Sequence, residues 1–267
     1  MEELVIEIIK SKISDNYFYM IRDGGECLLI DPVDANTAIE MVKKSGDFLK
    51  YVLNTHFHHD HVGGNDRVLQ KFPDAKLIAG ADAAIIERGT VSGVDIIVED
   101  GDRIELSMLN LKVLNTPGHT PGHVSYQLEN HLFCGDTVFV GGAGNCSFGG
   151  DPGTLFRTFD EVLSKLPDNT IFYPGHDYAE QNIEFMKHLE PDVDYEKLAK
   201  KAKKKKGIFL RTIGEEKKSN PFFRFNDDAI KTIIKERFQD DYINVLIKCS
   251  SDNEAIFRTL RHLRNEW

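Results

Sequence analysis

Apolar and polar residues alternate with a period of two along much of the first half of this chain, and at helical spacing along most of the second. Residues 4–9, 17–21 and 27–30 read as strands, joined by turns at Ser14-Asp15-Asn16 and Asp23-Gly24-Gly25. Strand and helix then take turns: 35–44 helical, 51–55 extended, 66–72 helical with Val68, Leu69 and Phe72 on one face, 77–79 extended. Residues 96–98, 103–106, 109–115, 124–128, 132–134 and 170–173 add strands with few helices between them. Past His176 the spacing turns mainly helical, over 179–189, 195–206, 229–238 and 254–264. Two packed sheets flanked by helices account for such a mixture, an α/β arrangement. The change of pattern sets domains at 1–176 and 177–267.

The ends of these strands carry the chemistry. Tyr51-Val52-Leu53-Asn54-Thr55 runs into His56-Phe57-His58-His59-Asp60-His61-Val62-Gly63-Gly64, where four of the chain's ten histidines fall within six residues, beside an aspartate. His56 and His58 leave the strand two residues apart and point the same way. Asp60 and His61 follow as the chain turns, and Gly63-Gly64 is expected to supply backbone angles that a bulkier residue resists. Further on, Thr116-Pro117-Gly118 stops a strand and leaves His119 on a rigid turn. Residues 132–134 deliver Asp136 through Gly135, and 170–173 end in Pro174-Gly175-His176-Asp177-Tyr178. Imidazoles and carboxylates are the ligands that divalent metals such as zinc prefer. A lone histidine after a strand is more often structural, and a histidine-rich loop can be mere solvated surface. Three strand ends bearing His, Asp and His after such a loop read instead as a two-metal hydrolase site.

On these residues the chain resembles the metallo-β-lactamase superfamily and, within it, glyoxalase II, the hydroxyacylglutathione hydrolases. The matching pieces are Leu29-Ile30-Asp31-Pro32, Thr55 to Gly64, Thr116 to His119, Gly135-Asp136-Thr137 and Gly175-His176-Asp177-Tyr178. Asn220-Pro221-Phe222-Phe223-Arg224 and the closing stretch with Phe257, Leu260, Arg261, Arg264 and Trp267 resemble that family's C-terminal domain. The resemblance implies an αββα sandwich followed by a smaller helical domain that contributes to the substrate site. It implies that one metal is held by His56, His58 and His119 and another by Asp60, His61 and His176, with Asp136 bridging. Asp60 and Asp136 are then catalytic through the metals, and Asp31 holds the histidine loop rather than ligating. His59 and His123 fall at non-ligand positions. The implied reaction is thioester hydrolysis by a hydroxide bridging the metals, releasing a 2-hydroxy acid such as D-lactate, a step of methylglyoxal detoxification. A thiolate whose parent thiol has a pKa of about 8.5 leaves with little help, so no Ser or Cys nucleophile is needed. The donor set accepts zinc, iron or manganese.

Composition changes this picture little. A formal net charge of −10 argues against general nucleic-acid affinity. Four cysteines without a paired-thiol motif fit a reducing, cytoplasmic setting. The start, Met1-Glu2-Glu3-Leu4-Val5-Ile6-Glu7, lacks the positive charge of a signal peptide, and no apolar segment is long enough to span a membrane. The run Lys200-Lys201-Ala202-Lys203-Lys204-Lys205-Lys206 invites a nucleic-acid or targeting reading. A solvated helix end accounts for it more simply, with attraction of an anionic thiol conjugate as a modest functional option.

Substrate choice is where the chain departs from the family. A Gly-x-Gly followed by a basic residue and then an aromatic is expected after the bridging aspartate, but here Asn145 takes the basic position and Phe148 comes one residue late. A basic residue expected just after Arg224 is also absent, since Phe225-Asn226-Asp227-Asp228 follows. Tyr178 and Arg224 match positions that face the thiol carrier. Arg224 reads equally as a bidentate grip on a carboxylate or as a tie between domains. A small-molecule thioester of glutathione or a related thiol is the leading substrate. Alternatives are a lactonase or other thioesterase, a persulfide dioxygenase, and a non-enzymatic metal-binding protein. Oligomeric state is not legible.

Overall fold

The computed structural model describes residues 4–80 and 93–267, so Met1-Glu2-Glu3 of the acidic start lies outside the described residues. The chain divides into two compact units: residues up to 116 with 122–135 and 173–176, and residues 117–121 with 136–172 and 177–267.

In the first unit, β1 (Val5–Lys10), β2 (Tyr17–Asp23), β3 (Glu26–Ile30), β4 (Phe48–Asn54), β5 (Lys76–Gly80) and β6 (Ile96–Val98) form one sheet in that order. The first three pair antiparallel, and β3 to β6 run parallel. Alternation along β2 divides its side chains between two faces. Phe18 and Met20 join Ala38 and Val42 of helix α1 (Ala35–Ser45) and Val68 of α3 (Asn65–Lys71) in one buried cluster, with the short α2 (His59–Val62) between the two helices in the chain. Tyr19, on the opposite face, stacks edge-on against Phe133 and Tyr173, with ring centroids 5.3 and 5.6 Å away. Phe133 belongs to a second sheet, among whose strands β7 (Arg103–Leu106), β8 (Leu109–Asn115), β9 (Val124–Leu128) and β10 (His131–Gly135) pair antiparallel. Helix α1 starts because Asp34 accepts a hydrogen bond from Thr37 N–H, and it stops at Gly46, whose φ of 76° suits glycine.

The second unit is built around aromatic rings. Phe156, Phe159, Phe222, Phe223, Phe225 and Phe257 meet edge-on or tilted, with centroids 4.9 to 6.4 Å apart. They come from α4 (Pro152–Arg157) and the π turn after it, the Asn-Pro-Phe-Phe-Arg segment, and the last helix, Asp252–Glu266. Two helices here had no counterpart in the sequence reading besides α4. Ile213–Ser219 is nucleated by a Thr212/Glu215 capping box, and Gln239–Leu246 sets Tyr242, Val245 and Leu246 at helical spacing but buries none of them. Helix Glu196–Lys204 turns Ala199 and Ala202 inward and most of its lysines outward, as a solvated face. Among the described residues no helix is long and apolar enough to cross a membrane. The described residues make a mixed α/β fold whose C-terminal region is helical.

Candidate metal centre

Strand β4 ends at Asn54, and the next seven residues place four candidate donors. Thr55 is the hinge of the arrangement. Its N–H donates to Asp31 Oδ1 (2.8 Å) and its hydroxyl to Asp31 Oδ2 (2.6 Å). Having given its proton away, that hydroxyl accepts from His56 Nδ1, 3.0 Å off. His61 Nδ1 donates directly to Asp31 Oδ2 at 2.9 Å. One buried carboxylate therefore sets the tautomer of two rings, leaving Nε2 of both His56 and His61 with its lone pair exposed for a cation. Asp31 contacts His61 through the nitrogen opposite the donor atom, which is the place of a residue that orients ligands.

Two donor clusters result within the first unit. His56 Nε2 lies 3.1 Å from His58 Nδ1. Asp60 Oδ2 lies 3.2 Å from His176 Nε2 and 3.9 Å from His61 Nε2, and these three side chains form a group able to hold a metal ion. Two ligands at tetrahedral angles on zinc stand about 3.4 Å apart, given bonds of roughly 2.0–2.2 Å. Both clusters fit a divalent cation by spacing and by donor type. His123 is buried and stacks on His56, with centroids 5.0 Å apart, while its Nδ1 meets Thr116 Oγ1; His59 is exposed.

Glycine serves this loop differently from expectation. Gly63 and Gly64 have φ of −61° and −94°, angles open to any residue. Gly64 is required because a Cβ there would lie 1.9 Å from Pro32 O, so the loop and the Asp31-Pro32 turn could not touch.

In the second unit, His119 Nδ1 is held by the main-chain carbonyl of Asn145 (2.5 Å), and His119 Nε2 lies 3.7 Å from Asp136 Oδ2. Gly144 permits this: a Cβ there would meet Asp136 O at 2.1 Å. The Asn145 side chain is exposed and its Oδ1 caps Ser147 N–H, while Phe148 is 71 % exposed and Tyr178 packs edge-on against Phe139. Arg224 donates to Glu190 Oε2 at 2.8 Å and to Asp227 Oδ2 at 3.2 and 3.3 Å. These contacts join segments within residues 177–267, so they are not the tie between domains that stood beside the carboxylate grip as a reading. Asn220 donates to the carbonyl of Gly142 and to Glu216, pinning the hairpin Val138–Ala143. Burial pushes the Cys146 thiol up to about 12, only partly opposed by Arg261, so it is no nucleophile near neutral pH.

Two residues of this arrangement went unrecognised in the sequence. Thr55 was seen only as a strand end. Asn16, seen only as part of a turn, directs its side-chain amide at Asp60, at His61 Nε2 and at His176 Nε2.

Comparison with known proteins is consistent over residues 14–267. Residues 14–176 match the family model described as the metallo-beta-lactamase superfamily, and residues 177–267 the model described as the hydroxyacylglutathione hydrolase C-terminus. The hydroxyacylglutathione hydrolase of Nitrosococcus oceani is 38% identical over 259 residues, covering 94% of each chain. That of Polaromonas sp. is 38% identical over 267 residues, again covering 94% of each. Among solved structures, ETHE1 from Myxococcus xanthus superimposes with a TM-score of 0.65 at 29% identity, over 81% of this chain and 83% of that one.

Proposed function

This chain belongs to the metallo-β-lactamase superfamily and, within it, to the hydroxyacylglutathione hydrolase family, and from that premise we propose that it is a dinuclear metal-dependent thioester hydrolase. The substrate is an S-(2-hydroxyacyl) conjugate of glutathione or a related thiol, and the products are a 2-hydroxy acid and the free thiol. The catalytic domain is residues 1–176, and residues 177–267 contribute to the substrate site. The observation that carries the metal reading is the oriented donor set, in which Asp31 fixes His56 through Thr55 and His61 directly. The match of residues 177–267 carries the thioester reading.

In this reading His56, His58 and His119 hold one cation, Asp60, His61 and His176 the other, and Asp136 both; zinc is the first choice, iron or manganese the others. When bound, such a pair supplies a nucleophile from water at neutral pH and polarises the carbonyl under attack. The protein's part is to keep imidazole lone pairs and carboxylate oxygens aimed. Asn145, Phe148 and Tyr178 face the carrier. Arg224 commits three of its five N–H donors to Glu190 and Asp227, so a grip on a carrier carboxylate is secondary to that tie.

Metal analysis of purified protein, with assays of S-lactoylglutathione, a lactone and glutathione persulfide side by side, tests the proposal. About two cations per chain and thiol release from the thioester are expected. Turnover of only the lactone or the persulfide would overturn the substrate class, and less than about one cation per chain the dinuclear centre.

A further inference from the structure

Asn16 stands among the donors of the second cation cluster without belonging to the His/Asp set. Its main chain is fixed independently of its side chain: Ser11 N–H donates to Asn16 O, Tyr17 N–H donates to Gly175 O, and Asn16 forms an antiparallel bridge with His176. The side chain is buried, and Nδ2 lies 2.7 Å from Asp60 O, 3.2 Å from Asp60 Oδ2, 3.3 Å from His176 Nε2 and 3.5 Å from His61 Nε2. Asp60 O and Oδ2 accept only, and His61 Nε2 is a lone pair because Nδ1 carries the proton given to Asp31. The NH2 end of the amide must therefore face this group.

Two hydrogens cannot serve three acceptors and also meet His176 Nε2. The shortest contact takes one for Asp60 O. The other is shared among Asp60 Oδ2 and two ring nitrogens, which are the same three atoms that would coordinate the cation. Once a cation takes the ring nitrogens, both amide hydrogens are left to Asp60. Asp60 needs such a hold: its side chain is 48 % exposed, whereas those of His61 and His176 are 1 and 8 % exposed. It also stands on a helix of only four residues, His59–Val62. A carboxylate so placed samples several rotamers unless it is anchored.

We propose that Asn16 is a positioning residue of the second cation site, clamping the main chain and carboxylate of Asp60 so that Oδ2 points at the same spot as His61 and His176. This deepens the dinuclear reading above and rests on it. Donation by the amide is the essential property, so neither Asn16→Ala nor the near-isosteric Asn16→Asp should supply it; the latter adds a like charge beside Asp60.

The test is zinc binding by full-length protein, titrated in chelator-buffered zinc, together with the melting temperature of each metal-free form. Wild type should bind two cations in resolved or overlapping steps. Both variants should keep one step and weaken the other about 10- to 100-fold, with metal-free melting temperatures close to wild type. Binding curves of Asn16→Ala that match wild type at both steps overturn the proposal, as does a tighter second step in Asn16→Asp. Loss of both cations together also overturns it, since a clamp on Asp60 acts on one. Wild type that binds fewer than two cations instead overturns the dinuclear reading beneath it.

Discussion

Asp31 has a φ of 54°, in the left-handed region where a side chain crowds its own backbone. Aspartate tolerates this better than most residues, and here the strain turns its carboxylate toward Thr55 and His61. The polarity of its acceptors follows into the metal site. Asp31→Asn keeps the shape but offers N–H where His61 Nδ1 now donates. The ring must then place its proton on Nε2, facing the cation. Metal affinity should fall about 10- to 100-fold while the fold persists, as measured by zinc competition and circular dichroism. Unchanged affinity would show that the His61 tautomer is set elsewhere. Nothing in the sequence pattern reveals this: Leu29-Ile30-Asp31-Pro32 is a recognisable motif, yet the hydrogen-bond chain through Thr55 exists only once β3 and β4 lie parallel.

At the level of elements, the strands that alternate strictly were legible to the residue. Arg103–Leu106 and Val124–Leu128 begin and end where the alternation does, Leu109–Asn115 follows it as far as Val113, and Ile96–Val98 shows instead as a run of three β-branched residues. The short hairpin Val138–Ala143 and helix Gln239–Leu246 were not, since a two-residue strand has no period and an 8-residue helix offers barely two turns of spacing to read. The same limit explains the glycine pair after His61: sequence suggests an unusual angle, whereas close approach of Gly64 to Pro32 O is a tertiary demand. Helix α1, which covers one face of the first sheet, owes its start to Asp34. Burial would raise that carboxyl, but Lys12 N–H and both donors of Thr37 hold it below the usual range. A lowered folded pKa means stability that is present above the ordinary carboxylate range and lost as pH falls through the folded value. Asp34→Ala should therefore cost about 1 kcal/mol near pH 7, and the gap to wild type should close in acid. Urea unfolding at the two pH values measures it; a pH-independent gap would point to packing instead.

For the molecule as a whole, a ligand bound only by the folded chain adds stability by mass action, about 2.7 kcal/mol at a hundredfold excess over its Kd. Stripping the protein with a chelator should lower its melting temperature, and added zinc should restore it; a melting temperature indifferent to metal would mean that the donors are held by hydrogen bonds alone. Motif spacing announced the metal chemistry, whereas the commitment of Arg224 to Glu190 became visible only in three dimensions, because those partners are 34 residues apart. One contact bears on how such an enzyme can change its diet. His119 is steadied by the peptide oxygen of residue 145, an atom that all twenty amino acids supply, while the Asn145 side chain faces solvent. If Asn145 meets the thiol carrier as proposed, exchanging that side chain would retune which thiol is welcomed without disturbing the imidazole behind it, so selectivity and reactivity could drift separately at this one position.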